Sequence, residues 1–91
     1  MVLRNPTHYA VALRYATGQM RAPRVVAKGA RLMARHIIEI AAAARVPILE
    51  NPPLARALYR SVEVGREIPA DLYRAVAQVL AYVYSLKGGK R

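Results

Sequence analysis

Residues 5–15 read Asn5-Pro6-Thr7-His8-Tyr9-Ala10-Val11-Ala12-Leu13-Arg14-Tyr15. The run from Tyr9 to Tyr15 alternates with the period of two that predicts a strand, placed over residues 8–15. Asn followed by Pro is a turn signal. Just before it, Val2-Leu3-Arg4 predicts a further short strand leading into the turn. Strand, tight turn and strand at one end of the chain place a sheet at the centre of the fold.

Working outward, residues 16–23 read as a loop. Val25-Val26 either makes a short strand or leads into a helix predicted over 28–44, whose apolar stripe is Leu32, Met33, His36, Ile37 and Ile40. On that stripe His36 reads as a packed core histidine. Val46-Pro47 stops the helix, and Val46-Pro47-Ile48-Leu49 reads as a short buried strand. Asn51 then caps a helix that Pro52 opens; it runs to about Ser61 and buries Leu54, Leu58 and Tyr59. After a turn around Gly65, Pro69 opens a last helix to about Leu86, with Leu72, Val76, Val79, Leu80 and Val83 on its apolar face. Residues 87–91 read as a flexible, solvated tail. Strands mixed with helices predict a single α/β domain, a small sheet of about four strands surrounded by about four helices. In this division residues 1–5 form the N-terminal strand and 6–86 the main body.

Composition narrows the chemistry. Ninety-one residues make one small domain with a modest core. Cys is absent, which removes disulfides, thiolate nucleophiles and Cys-based metal sites. His8 and His36 lack metal-ligand spacing, and Glu39, Glu50, Glu63, Glu67 and Asp71 show no paired-carboxylate pattern. Neither a metal nor another cofactor is expected. No apolar run approaches the roughly 20 residues that span a bilayer, and Met1-Val2-Leu3-Arg4 lacks a signal-peptide layout. The formal net charge is +10. Arg24, Lys28, Arg31 and Arg35 recur at helical spacing and predict a basic stripe on the first helix. That stripe is either an ordinary solvated face or a contact for an anionic membrane surface. Nucleic acid is disfavoured, because no RNA-binding motif, zinc spacing or helix-turn-helix accompanies the charge.

Asn5-Pro6 also carries chemistry. An Asn side chain normally reacts when the following backbone N–H attacks its amide, but Pro6 has no N–H. The remaining route is attack by the Asn5 side-chain nitrogen on its own backbone carbonyl. This closes a succinimide and expels Pro6 as a new N-terminus. A fold that holds Asn5 as a near-attack conformer lowers the barrier by orientation. Thr7 is placed to hydrogen-bond the turn, or simply suits strand entry. His8 is a candidate for orientation or proton transfer. Asn51-Pro52 repeats the dipeptide, but its context is that of an N-cap. If residues 1–5 pair with the sheet, a cut after Asn5 loosens a turn without releasing a product.

The run Asn5-Pro6-Thr7-His8-Tyr9-Ala10-Val11-Ala12-Leu13 resembles the start of the cytoplasmic domain of the FlhB/YscU family of type III secretion export-apparatus proteins. The likeness continues through Ala22-Pro23-Arg24-Val25-Val26-Ala27-Lys28-Gly29, Val46-Pro47-Ile48-Leu49-Glu50, Pro52-Pro53-Leu54-Ala55-Arg56-Ala57-Leu58-Tyr59, Ile68-Pro69 and Val76-Ala77. The flagellar branch is the closer one. The resemblance implies a small sheet surrounded by helices, one-time autocleavage between Asn5 and Pro6 without turnover, and control of which export substrates are accepted. It implies as partners rod/hook-type and filament-type export substrates, a substrate-length ruler protein and other export-gate subunits. It implies a place at the cytoplasmic face of the bacterial inner membrane, with the membrane portion of the family absent from this chain. It also implies a substrate-docking pocket, whose matching positions are Ala22, Pro23, Ala77 and Leu80. On the residues alone, Ala22-Pro23 is a rigid apolar pair and Ala77 a small side chain, compatible with a shallow groove and equally with helix-loop packing. A rival reading of the whole chain is a non-cleaving basic RNA-binding or membrane-surface module.

Overall fold

Val2 and Leu3 are neighbours in the chain and both are buried, at 2% and 0% exposure. Successive side chains of a strand point to opposite faces, so both faces of this strand must be covered. The computed structural model, which describes residues 1–6 and 8–88, shows how. The elements run β1 (Val2–Asn5), β2 (Tyr9–Arg14), β3 (Arg24–Ala30), α1 (Leu32–Ala43), β4 (Ile48–Glu50), α2 (Pro52–Ser61), a 3-10 turn (Ala70–Leu72) and α3 (Tyr73–Gly88). The four strands form one mixed sheet in the order β3-β2-β1-β4. β1 is antiparallel to β2 and parallel to β4.

Each face of the sheet has its own core. Leu3, Val11, Leu13 and Val25 pack against Leu54, Ala55 and Leu58 of α2 and Val76 of α3. On the other face Val2 and Ala10 meet Ala34 and Ala41 of α1. The expected α/β domain with a small sheet and surrounding helices is therefore present, with three α-helices and the 3-10 turn among the described residues.

Three expectations need correction. First, β3 continues through Ala30, so α1 begins at Leu32 and not at 28. Gly29 makes the tight strand-to-helix junction possible: a Cβ there would lie 2.6 Å from Cβ of Met33. Second, α1 presents a different stripe. Ala34 and Ala41 are buried, Ile37 and Ile38 are half-buried, and His36 is exposed. Leu32, Met33 and Ile40 are 74%, 58% and 57% exposed. The opposing sheet surface is lined by Ala10 and Ala12, so the helix approaches on its alanines, where small side chains let it sit close. Third, Arg24, Lys28, Arg31 and Arg35 do not form a stripe on one helix. Arg24 and Lys28 lie on β3, Arg31 at the α1 N-cap, and only Arg35 on α1 itself.

Smaller differences follow local chemistry. β4 is half-buried, not buried, because it is an edge strand. Pro69 opens the 3-10 turn that precedes α3. α3 extends to Gly88, past the expected end, while 89–91 of the expected tail lie outside the described residues. α2 matches its expected bounds: Asn51 Oδ1 accepts the Leu54 N–H at 3.3 Å, as an N-cap should.

The end of α1 contains a residue in an unfavourable conformation. The Val46 N–H reaches the Ala41 carbonyl at 2.9 Å and the Arg45 N–H reaches Ala42 at 3.1 Å, a Schellman-type closure. Arg45 occupies the position usually taken by Gly, with φ 61°. Arg45→Gly is expected to raise the free energy of unfolding by about 1 kcal/mol. Urea denaturation checks this; unchanged or lower stability contradicts it.

Candidate functional site

The Asn5-Pro6 linkage lies where the β1–β2 hairpin reverses. Asn5 pairs with Tyr9 across the ladder, so residues 6–8 form the connection. The turn is closed by the His8 N–H, which donates to the Asn5 carbonyl oxygen at 3.0 Å. That oxygen belongs to the carbonyl that Asn cyclisation would attack. A backbone donor aimed at it polarises the carbonyl and is placed to stabilise an oxyanion, the arrangement used in acyl-transfer sites. His8 thus touches Asn5 through its main chain, a contact that sequence reasoning, which had considered its side chain, did not anticipate. Asn5 is half-buried, whereas Pro6 and His8 are exposed. Thr7, the other expected member of the turn, lies outside the described residues.

The strand carrying Asn5 is anchored on both edges. Beside its pairing to β2, the Arg4 carbonyl accepts the Asn51 N–H at 3.0 Å, and the Val2 N–H donates to Pro47 at 2.8 Å. Asn51, the second Asn-Pro residue, is therefore a helix cap that also ties α2 to the strand bearing the first.

Lys28 fixes the far side of the hairpin. Its Nζ donates to the carbonyls of Tyr59 and Val62, each at 2.9 Å. These are carbonyls at the end of α2 that have no helical partner, and a cation there also suits the helix dipole. The same Nζ lies 5.2 Å from the Tyr59 ring, which stacks on Tyr9 at 4.4 Å between centroids. Lys28 is engaged by the fold, which removes it from the basic stripe expected either as a solvated face or as a membrane contact.

A cleft of roughly 670 Å³ opens beside the turn, lined by Asn5, Pro6 and His8 together with Arg4, Arg31, Arg35 and Glu39. Sequence reasoning did not join these arginines to the turn. Arg4 follows Val2 by two residues and so shares the α1-covered face, a signal that register alone carries. Arg31 and Arg35 reach the cleft because α1 starts directly behind the hairpin, where the Arg31 N–H donates to the His8 carbonyl at 2.9 Å.

All four expected docking residues come together elsewhere. Ala22, Pro23, Ala77 and Leu80 line one cavity of roughly 180 Å³ between the β2–β3 loop and α3. Tyr15, Arg21 and Tyr73 complete its wall and were not anticipated. Ala22 is buried, Pro23 and Leu80 half-buried and Ala77 exposed. Among the described residues, no helix is long and apolar enough to cross a membrane, and no group of three His, Cys, Asp or Glu is placed to hold a metal.

Fold and turn together define a class, and comparison with known proteins agrees. Residues 1–83 match the family described as FlhB HrpN YscU SpaS, and the chain belongs to that family. It is similar to the flagellar biosynthetic protein FlhB of Salmonella typhimurium, 58% identical over all of this chain and 25% of the relative. FlhB of Bacillus subtilis is 46% identical over 96% of this chain and 24% of the relative. The chain thus spans about a quarter of the length of the curated relatives it matches. Among solved structures, the cytoplasmic domain of FlhB from Shewanella putrefaciens superposes with a TM-score of 0.86 at 44% identity, covering 91% of this chain and 68% of that one. An EscU C-terminal domain with an asparagine changed to alanine gives 0.85 at 34% identity, covering 89% and 81%.

Lys28→Met is expected to destabilise the protein by about 1–3 kcal/mol, since two carbonyls lose a charged donor. Thermal or urea unfolding checks this, and a neutral result would show that water replaces the ammonium without cost.

Proposed function

We propose that this chain is the self-cleaving cytoplasmic module of a flagellar type III export-apparatus component, and that its cut controls which class of export substrate is accepted. The observation that carries the reading is the His8 N–H on the Asn5 carbonyl, at a linkage whose following residue is proline. In the reaction Asn5 Nδ2 forms a bond to the Asn5 carbonyl carbon. The Asn5–Pro6 bond breaks, a proton leaves the carboxamide, and Pro6 nitrogen takes one up. The His8 amide supports the oxyanion that forms between these steps. The reaction occurs once in each chain. It is supported further by the solved EscU C-terminal domains, whose mutated positions include a consecutive asparagine and proline.

The consequence of the cut follows from the sheet. Residues 1–5 are held between β2 and β4, so cleavage frees the 6–8 connection while β1 stays paired. The module then offers a changed surface without losing its fold. The proposed partners are rod/hook-type and filament-type export substrates, a substrate-length ruler protein and the other export-gate subunits, met close beneath the inner membrane. The cavity between Ala22-Pro23 and Ala77/Leu80 suits an apolar anchor of an extended peptide.

Intact-mass measurement under denaturing conditions tests the chemistry. The expected result is two species, one ending at Asn5 and one beginning at Pro6, and a single full-length species from Asn5→Ala. Full-length mass alone from the unaltered protein defeats the reading, and continued cutting in Asn5→Ala excludes Asn cyclisation. For the cavity, Ala77→Leu is expected to fill the space and weaken binding of early export substrates at least tenfold while the fold is retained. Pull-down with purified substrates, alongside circular dichroism, checks this.

A further inference from the structure

Three arginines, Arg4, Arg31 and Arg35, line the cleft beside the turn. Glu39 is the one carboxylate that shares it. Among the described residues the ion pairs within 4.0 Å are those of Arg21 and Arg24 with Glu67, so none joins Glu39 to these three arginines. Nε of Arg4 is buried and has no hydrogen-bond partner. The N-terminus of α1 opens toward the same space without a side-chain cap and with no acidic residue in its first turn. A buried guanidinium nitrogen left unpaired is costly. Bare helix N–H groups and arginine forks are the donors that bind a carboxylate best. The uncut chain thus has three arginines here against one carboxylate, and no ion pair within 4.0 Å joins them.

The cut creates that anion at this place. The succinimide left on residue 5 is an imide, and one water opens it to a carboxylate and a carboxamide with release of a proton. Whichever imide bond opens, residue 5 then bears one carboxylate, in a cleft that Asn5 itself lines. We propose that Arg4, Arg31 and Arg35 form a carboxylate site that receives the new terminus at residue 5 and holds the severed β1 in the sheet. The inference rests on the cleavage reading and adds to it a reason for the cut form to persist. The arginines bind the product of the reaction; no step of bond breaking is assigned to them. Arg31 and Arg35 lie on α1 and Asn5 ends β1, so the contact ties helix and strand together after the covalent link to Pro6 is lost.

A thermodynamic cycle tests this. The full chain is prepared with and without the pair Arg31→Gln and Arg35→Gln, in the native Asn5 background and in Asn5→Ala, and the mass of each protein states whether it is cut. Thermal unfolding is then measured at low and at high salt. In the cut background the double substitution is expected to lower Tm by about 4–8 °C more than in the uncut background. The excess should shrink at 1 M NaCl. Equal Tm losses in the two backgrounds overturn the inference and leave the cleavage reading intact. An uncut unaltered protein overturns both. A double variant that stays whole while the unaltered protein cuts also overturns it, because the arginines would then act before any carboxylate exists.

Discussion

The structure depends on β1 being an inner strand. Val2–Asn5 pair with β2 on one side, and Val2, Leu3 and Arg4 pair with β4 on the other. Val2 and Leu3 feed separate cores on the two faces. Burying each of those side chains contributes about 1.5–3 kcal/mol, and the ladder supplies backbone partners that would otherwise be lost. A segment so placed cannot leave without opening the sheet from its middle. The cut proposed at its end would therefore leave the strand held by both neighbours.

The same placement aligns the turn. Because Asn5 is still in register with Tyr9, the reversal is confined to three residues, and the His8 N–H falls on the Asn5 carbonyl. Behind the turn α1 begins at once, made possible by Gly29 packing against Met33. Arg31 then sits at the helix start with φ 55° and ψ −115°, a conformation that favours glycine. The strand-to-helix junction and the hairpin turn are one unit, joined by the Arg31 N–H on the His8 carbonyl.

The large positive charge resolves into parts with different roles. Lys28 caps α2 and leans on Tyr59. Arg24 donates to the Gly65 carbonyl at 2.8 Å, and with Arg21 it shares Glu67 in exposed pairs of little energetic weight. Arg4, Arg31 and Arg35 gather at the turn. A helical spacing read along the sequence had joined Arg24, Lys28, Arg31 and Arg35. The spacing was real, but β3 and α1 share those positions, so its periodicity did not describe one surface.

What the chain determined by itself was local. The alternation from Tyr9, the Asn-Pro turn, the Asn51-Pro52 cap and the α2 bounds were all legible, since each arises from backbone preferences and neighbours a few residues apart. The proposal of Asn5-Pro6 chemistry also came from residues adjacent in the chain. Tertiary structure decided which face of α1 is buried, because Ala10 and Ala12 admit alanines more closely than leucine or methionine. It decided that Val25-Val26 belongs to a seven-residue strand, which depends on pairing to β2. It also brought three arginines from β1 and the start of α1 to the turn, and Tyr15, Arg21 and Tyr73 to the Ala22 cavity. These meetings join residues far apart in the chain, and only the close packing of helices on both faces of one sheet fixes such distances.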